Sequence, residues 1–323
     1  MGEARFDFDF AALAPGSWQG HLVDSQARVA VNGDALYSFG SDSLSGGGGF
    51  SDFLADATDS AEPLLLGRTS DGLVHLAWGV EQRPGVQFKR LIQVADRLSG
   101  DESLLGAQAV ALARWHDQNR FCTRCGGRVR PSEAGWANEC TGCGVTEYPR
   151  TDPVVIVRIL DGQDRLLLAH NTAWEPGRVS LLAGFVEAGE SPRRAVQREV
   201  FEEVGVRVCE ARYLGSQYWP GPRSLMLAFE ARSADANPEV VADEQEIAWA
   251  KFFSRQELGR ALTQGEVRGP DPSSIAAVAI SQWLGRDIQE LMAKATEAEV
   301  PETGGPEAGV PEASVPEATV SEA

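Results

Sequence analysis

The stretch from Gly184 to Gly205, GFVEAGESPRRAVQREVFEEVG, constrains this chain more than any other. At its centre, Arg198-Glu199-Val200-Phe201-Glu202-Glu203 puts three glutamates at i, i+3 and i+4, so a helix would carry them on one face. Carboxylates crowded in that way repel one another, and an isolated helix disfavours them. A hard divalent cation removes the objection, because Mg2+ and Mn2+ take oxygen ligands and bridge to substrate phosphates. The limits of the helix are legible too. Ser191 can cap its free N–H groups, Pro192 falls at the first helical position where a missing donor costs little, and Gly205 suits a left-handed C-cap. Glu190 lies before the cap, on the loop that opens with Gly184.

A second pattern stands upstream. Cys122-x-x-Cys125 is followed after fourteen residues by Cys140-x-x-Cys143, and Gly126, Gly127 and Gly144 allow the sharp turns that such knuckles need. Two knuckles bring four thiolates to one ion, the pattern of a tetrahedral Zn–S4 site. Disulfides or a redox pair are the competing readings. Four sulfur ligands leave no open position, so a zinc ion here is structural rather than catalytic. The fifth cysteine, Cys209, continues the alternation of VRVC and reads as a small core residue.

The 323 residues suffice for about two domains. With 43% hydrophobic and 24% charged residues the composition is that of a globular chain, and no apolar run is long enough to span a membrane. The acidic N-terminus, MGEARFDFDF, lacks the basic and apolar regions of a secretory signal, so a cytoplasmic location is expected. A net charge of −18 argues against broad electrostatic binding to nucleic-acid backbone, though not against recognition of one RNA end in a pocket.

Along the chain, residues 1–117 read as an N-terminal α/β domain, mostly β. ARVAVN, ALYSF, PLLLG and LVHLAWGV alternate with turn residues, SDSLSGGGGFSDFLADATDS has linker composition, and 103–118 has helical periodicity. His21, His75 and His116 are taken as structural or surface residues. Residues 118–149 form the expected zinc unit, and 150–294 a mixed α/β domain. There PVVIVRIL and RLLLAH make a hairpin turned by Asp161-Gly162. VSLLAGFVE, VRVCEARYLGSQYW and SLMLAFEAR follow as strands, AWAKFFSRQELGRAL passes from strand to helix, and SIAAVAISQWLGRDIQELMAK is one last helix. Residues 295–323 repeat PEAGV, PEASV and PEATV, a composition that predicts a disordered acidic tail.

The Gly184–Val206 string has the form G-x5-E-x7-R-E-U-x-E-E-x-G-U, with U a bulky aliphatic, and Gly184, Glu190, Arg198, Glu199, Val200, Glu202, Glu203, Gly205 and Val206 fill every fixed position. It resembles the Nudix box without departure. The resemblance implies an α/β/α sandwich that hydrolyses a nucleoside diphosphate linked to another moiety, with cations on the acidic helix. A zinc ribbon directly before such a domain is the arrangement of the NADH pyrophosphatases, also known as NAD-capped RNA hydrolases. Residues 216–224, Ser-Gln-Tyr-Trp-Pro-Gly-Pro-Arg-Ser, resemble that family's SQPWPFPxS array through Ser216, Gln217, Trp219, Pro220, Pro222 and Ser224. Tyr218 replaces a proline and Gly221 a phenylalanine, and Gly135 stands where relatives carry a glutamate.

By this resemblance Glu199, Glu202, Glu203 and Glu246 hold Mg2+ or Mn2+, with Asp243 and Glu244 as nearby alternatives to Glu246. Tyr148, supplied by the second subunit of a homodimer, and Phe185 sandwich the nicotinamide. Gln217, Trp219, Pro220, Pro222, Ser224 and a backbone group of Ala276 are the other substrate contacts. Water attack on the pyrophosphate of NADH or NAD+ gives nicotinamide mononucleotide and AMP, with Glu202 or Glu203 as base and Arg198 orienting the glutamates. The same bond caps NAD-linked RNA. The alternatives are a Nudix pyrophosphatase for another dinucleotide or nucleotide sugar, and a non-catalytic nucleotide-binding module.

Overall fold

A computed structural model describes residues 27–32, 35–39, 64–68, 74–79, 89–90, 100–219 and 223–298. Within them the N-terminal part forms one sheet from β1 (Ala27–Asn32), β2 (Ala35–Phe39), β3 (Leu64–Arg68), β4 (Val74–Gly79) and β5 (Lys89–Arg90), ordered β3-β4-β1-β2-β5. Helix α1 (Gly100–Gln118) packs on it through Leu105, Ala109, Val110 and Leu112, which meet Leu64, Leu66 and Ala77. It starts three residues before the expected 103. The linker-like segment after Ser41, His21 and the tail beyond Ala298 lie outside the described residues.

The zinc unit is a three-stranded antiparallel sheet of β6 (Val129–Ser132), β7 (Ala137–Cys140) and β8 (Thr146–Glu147). Two side chains tie it to the N-terminal part. Trp136 donates from its indole to the Leu65 carbonyl at 2.6 Å, and His116 Nε2 lies 2.7 Å from the Gly135 carbonyl oxygen. His116 thus has the structural role expected of it.

The third unit is built on β9 (Asp152–Leu160), whose side chains divide two cores. Val155, Val157 and Ile159 face one side, and Ile156 and Leu160 the other. That period of two fixes three layers. The six-stranded sheet runs β12 (Val208–Trp219), β13 (Ser224–Ser233), β9, β10 (Leu166–Asn171) and β14 (Ile247–Phe253), with β11 (Leu182–Phe185) paired to β9. Only β13 and β9 run parallel. Helix α2 (Pro192–Val204) covers one face through Ala195, Val196, Val200 and Val204, all fully buried. Helices α3 (Arg255–Thr263), α4 (Ile275–Leu284) and α5 (Ile288–Ala298) cover the other. The mixed α/β sandwich is the expected one.

Four local details differ from the sequence expectation. The last helix is two, because Gly285 ends α4 at φ 73° and the Asp287 carboxylate accepts the Gln289 N–H as α5 begins. Helix α5 then runs past Lys294 to Ala298, into the segment assigned to the tail. Cys209 is exposed rather than in the core: Val206 and Val208 turn inward, and a bulge follows at Glu210, whose φ is 43°. The β9–β10 turn has its left-handed residue at Asp164, φ 60°, while the Asp161 carboxylate accepts the Gln163 and Arg165 N–H groups at 2.9 and 2.8 Å.

Leu167, 1% exposed, lies in the core beneath α2. Leu167→Ala should cost about 2–5 kcal/mol of unfolding free energy, read as a lowered urea midpoint with an unchanged slope. A loss below about 0.5 kcal/mol would show that this core is not what seats α2.

Candidate active site

The acidic helix is capped as its sequence dictates. Ser191 Oγ accepts the Arg194 N–H, Pro192 opens the helix, and Gly205 closes it at φ 69° with its N–H on the Phe201 carbonyl. Val196, Val200 and Val204 bury one stripe, and that stripe turns Glu199 and Glu203 toward the sheet rather than into solvent. Glu203 is 7% exposed.

Glu199 reaches its place only because residue 184 has no side chain. A Cβ built on Gly184 would lie 1.9 Å from the Glu199 carboxyl carbon. Strand β11 and helix α2 therefore meet backbone to carboxylate.

Arg198 organises the rest. Its Nε and Nη2 donate to the two oxygens of Glu190 at 3.0 and 2.8 Å, a bidentate pair. Nη1 donates to Glu199 at 2.9 Å and to Glu202 at 3.0 Å, and Nη2 also reaches the Phe185 carbonyl at 2.9 Å. The hydrogen bonds it donates to Glu190, then those to Glu199 and Glu202, hold the guanidinium charged well above its usual range, and Arg198 in turn keeps Glu190 below the ordinary carboxylate range. Glu190 is the partner that helical spacing alone does not assign, although the fixed positions of the box contain it.

Arg198 does not satisfy the whole cluster. Burial raises the pKa of Glu199 even against its bond to Arg198. Burial first, then the charges of Glu199, Glu246, Asp243 and Glu202, push Glu203 up to about 8. Its Oε2 is buried with no hydrogen-bond partner. A buried, unpartnered carboxylate oxygen among other carboxylates is a donor set fitted to a hard divalent cation.

The charge of Glu246 acts on Glu199 and Glu203 from the other side, raising the pKa of both. The Asp243 N–H bonds to the Glu203 carbonyl, and the Asp243 carboxylate accepts the N–H groups of Gln245, Glu246 and Ile247 at 3.2, 3.2 and 2.9 Å. Asp243 therefore shapes the loop with its side chain, whereas Glu246 is exposed and free to serve as a ligand.

The other expected contacts are spread over several elements. Phe185 and Tyr148 are 55% and 58% exposed, and the Tyr148 hydroxyl donates to Glu133 at 3.4 Å. Trp219 and Ser224 face each other where β12 and β13 meet, and Ser224 is buried. Ala276 is buried in the first turn of α4. Pro220, Gly221 and Pro222 lie outside the described residues. Gly135 adopts φ 96°, and a Cβ there would stand 2.6 Å from Leu64, so a larger residue at this position would strain the turn and strike the N-terminal sheet.

The four cysteines of the ribbon come together with all Sγ atoms within 4.8 Å of one another, and none is in a disulfide. The Arg124, Gly127 and Gly142 N–H groups point at Cys122, Cys125 and Cys140 sulfur. Four thiols this close do not share charge evenly. The Cys143 N–H pulls Cys140 down to about 6, whereas against the Gly127 N–H the neighbouring Cys143 and Cys140 push Cys125 up to about 12. One Zn2+ would hold all four as thiolates, and the residues fit it.

Two family descriptions match the chain: the NADH pyrophosphatase zinc ribbon domain over residues 117–148 and the NUDIX domain over 149–273. The NAD-capped RNA hydrolase NudC of Mycobacterium tuberculosis is 38% identical over 300 residues, which cover 86% of this chain and 90% of that protein. The NAD-capped RNA hydrolase NudC of Pseudomonas aeruginosa is 42% identical over 175 residues, 54% of this chain and 62% of its own. Among solved structures, a NUDIX hydrolase from Nitrosomonas europaea aligns at 24% identity and a TM-score of 0.37, over 53% of this chain and 91% of its own.

The raised pKa of Glu203 has a consequence for stability. In the absence of divalent cations the folded state keeps this proton that the unfolded chain releases near 4.5, so stability falls as pH rises from there toward about 8. Melting temperature without divalent cations should decline between pH 5.5 and 8, and Glu203→Gln should flatten the decline. An unchanged slope in the variant would contradict this burial.

Proposed function

The chain belongs to the zinc-ribbon NADH pyrophosphatase family of Nudix hydrolases, and from that premise we propose that it cleaves the pyrophosphate of NADH and NAD+. The products are reduced or oxidised nicotinamide mononucleotide and AMP. The observation that carries this reading is the Glu199–Glu203 cluster, with its unpartnered buried oxygen, beside Glu246 in a complete Nudix box.

In this proposal Glu199, Glu203 and Glu246, with Glu202 at the exposed edge, hold Mg2+ or Mn2+. Divalent cations bound there supply charge neutralisation of the diphosphate and a lowered pKa for the attacking water. The chain's own groups do the remaining work. Arg198 fixes Glu190, Glu199 and Glu202 and cannot itself act as base, since it stays protonated. Glu202 or Glu203 takes the proton of the attacking water. Phe185 offers an exposed ring whose carbonyl is anchored by Arg198, so a stacked nicotinamide would sit on the same framework as the carboxylates.

The remaining parts of the proposal rest on the family. NAD-capped RNA presents the same pyrophosphate, and the named relatives support it as a substrate. A homodimer would bring Tyr148 from the partner subunit. A cytoplasmic location accords with the four unpaired ribbon thiols and with the lack, among the described residues, of a helix long and apolar enough to cross a membrane. The proposed division is an N-terminal unit to 117, the ribbon over 118–149, a catalytic unit from 150 that ends with α5 at Ala298, and a tail beyond it. Gly221 in place of an aromatic favours one second reading, a pyrophosphatase accepting other dinucleotides or nucleotide sugars.

Incubation with NADH and Mg2+ or Mn2+, followed by chromatography, should yield equal AMP and reduced nicotinamide mononucleotide, and EDTA should abolish both. Glu203→Gln should lower kcat by about 10²–10⁴-fold while the protein stays folded. Near wild-type turnover in that variant would overturn the catalytic assignment, and cleavage of other dinucleotides in place of NADH would favour the second reading.

A further inference from the structure

Gln217 reads, by resemblance, as a substrate contact, yet both ends of its amide are engaged elsewhere. Its Oε1 accepts the Ile275 N–H at 2.7 Å, and its Nε2 donates to the Ser273 carbonyl at 2.8 Å. These bonds join positions more than fifty residues apart, between the end of β12 and the start of α4.

The first turn of any helix has N–H groups that the helix itself cannot satisfy. Here they can be accounted for one by one. Ser273 donates to the Asp271 carboxylate and Ser274 to the Asp271 carbonyl. Ile275 donates to Gln217, Ala277 to the Ser274 hydroxyl and Val278 to the Ser274 carbonyl. Among the described residues the Ala276 N–H alone finds no acceptor, and Ala276 is 3% exposed. Ala276 belongs to the core beneath α3, α4 and α5, against which the partly buried Leu214, Met226 and Ile275 also pack.

We infer that Gln217 is a positioning residue: it locks the first turn of α4 to β12, and so holds the Ala276 N–H as the one unspent donor for the dinucleotide. This rests on the proposed function. The lock precedes substrate, because every bond in it is made within the chain. Its contribution is to ground-state and transition-state binding alike, so its loss acts on KM rather than kcat.

Two variants test it in the full-length, zinc-loaded protein. Gln217→Leu removes both bonds. Gln217→Glu keeps an acceptor for Ile275 but sets a carboxylate oxygen against the Ser273 carbonyl. Amide hydrogen exchange of residues 273–278 is measured without substrate, and kcat and KM for NADH and for reduced nicotinamide hypoxanthine dinucleotide, which differs only in its purine. Gln217→Leu should speed exchange in that segment and raise KM for both substrates by the same factor, about tenfold, with kcat nearly unchanged. Gln217→Glu should fall between it and wild type. A KM increase confined to NADH would show direct reading of the purine and overturn the proposal, as would unaltered exchange or an unaltered KM in Gln217→Leu. Failure of the wild type to cleave NADH would instead sink the substrate reading, and the exchange data would then decide the lock on their own.

Discussion

Glu199 and Glu203 occupy the side of α2 that the valine stripe presses against the sheet, and their mutual repulsion sets the terms for everything around them. Two carboxylates at i and i+4 in a partly dry setting destabilise each other unless a positive charge or a proton intervenes. Arg198 supplies part of that charge to Glu199, but its fork is largely spent on Glu190 and on the Phe185 carbonyl. Glu203 is left with a proton or a cation as its remaining means of relief, which is how an acidic helix becomes a binding site rather than a solvated face.

The scaffold makes that arrangement affordable by dividing the work between two cores. The core under α2 seats the carboxylates, and the core under α3, α4 and α5 seats the opposite face of the same sheet. Strand β9 belongs to both, and its partner β11 brings Gly184 within contact of Glu199. The loop through Asp243 is bonded to the end of α2 on the other side, so the charge of Glu246, in that loop just before β14, acts on the same carboxylates. The site is thus held by three elements, not by the helix that names it.

Much of this was legible in the residues because it is local. Ser191, Pro192 and Gly205 mark the helix limits, the glutamate spacing marks its acidic face, and the paired cysteines mark the ribbon. What could not be read depends on contacts between distant segments. Nothing in the sequence shows that Ser273 and Ile275 lie against Gln217, which reads there only as a ligand contact. Cys209 reads as a core residue by its small size, yet with Val206 and Val208 inward the alternation of VRVC itself turns it outward. The last helix looked continuous because its apolar period survives Gly285, where the cap ends it. Nor does the sequence show that Leu64 occupies the space a side chain at Gly135 would need.

The central claim is that the absence of a side chain at residue 184 lets Glu199 complete a cation site. In Gly184→Ala the added methyl meets the flexible end of Glu199, which can swing away without unfolding the strand. Titration of Mn2+ followed by electron paramagnetic resonance, on zinc-loaded wild type and this variant, reads the claim directly. The account predicts that wild type takes up Mn2+ and that the variant, with an unchanged circular dichroism spectrum, binds it about tenfold or more weakly. Equal Mn2+ binding by the two proteins would contradict it.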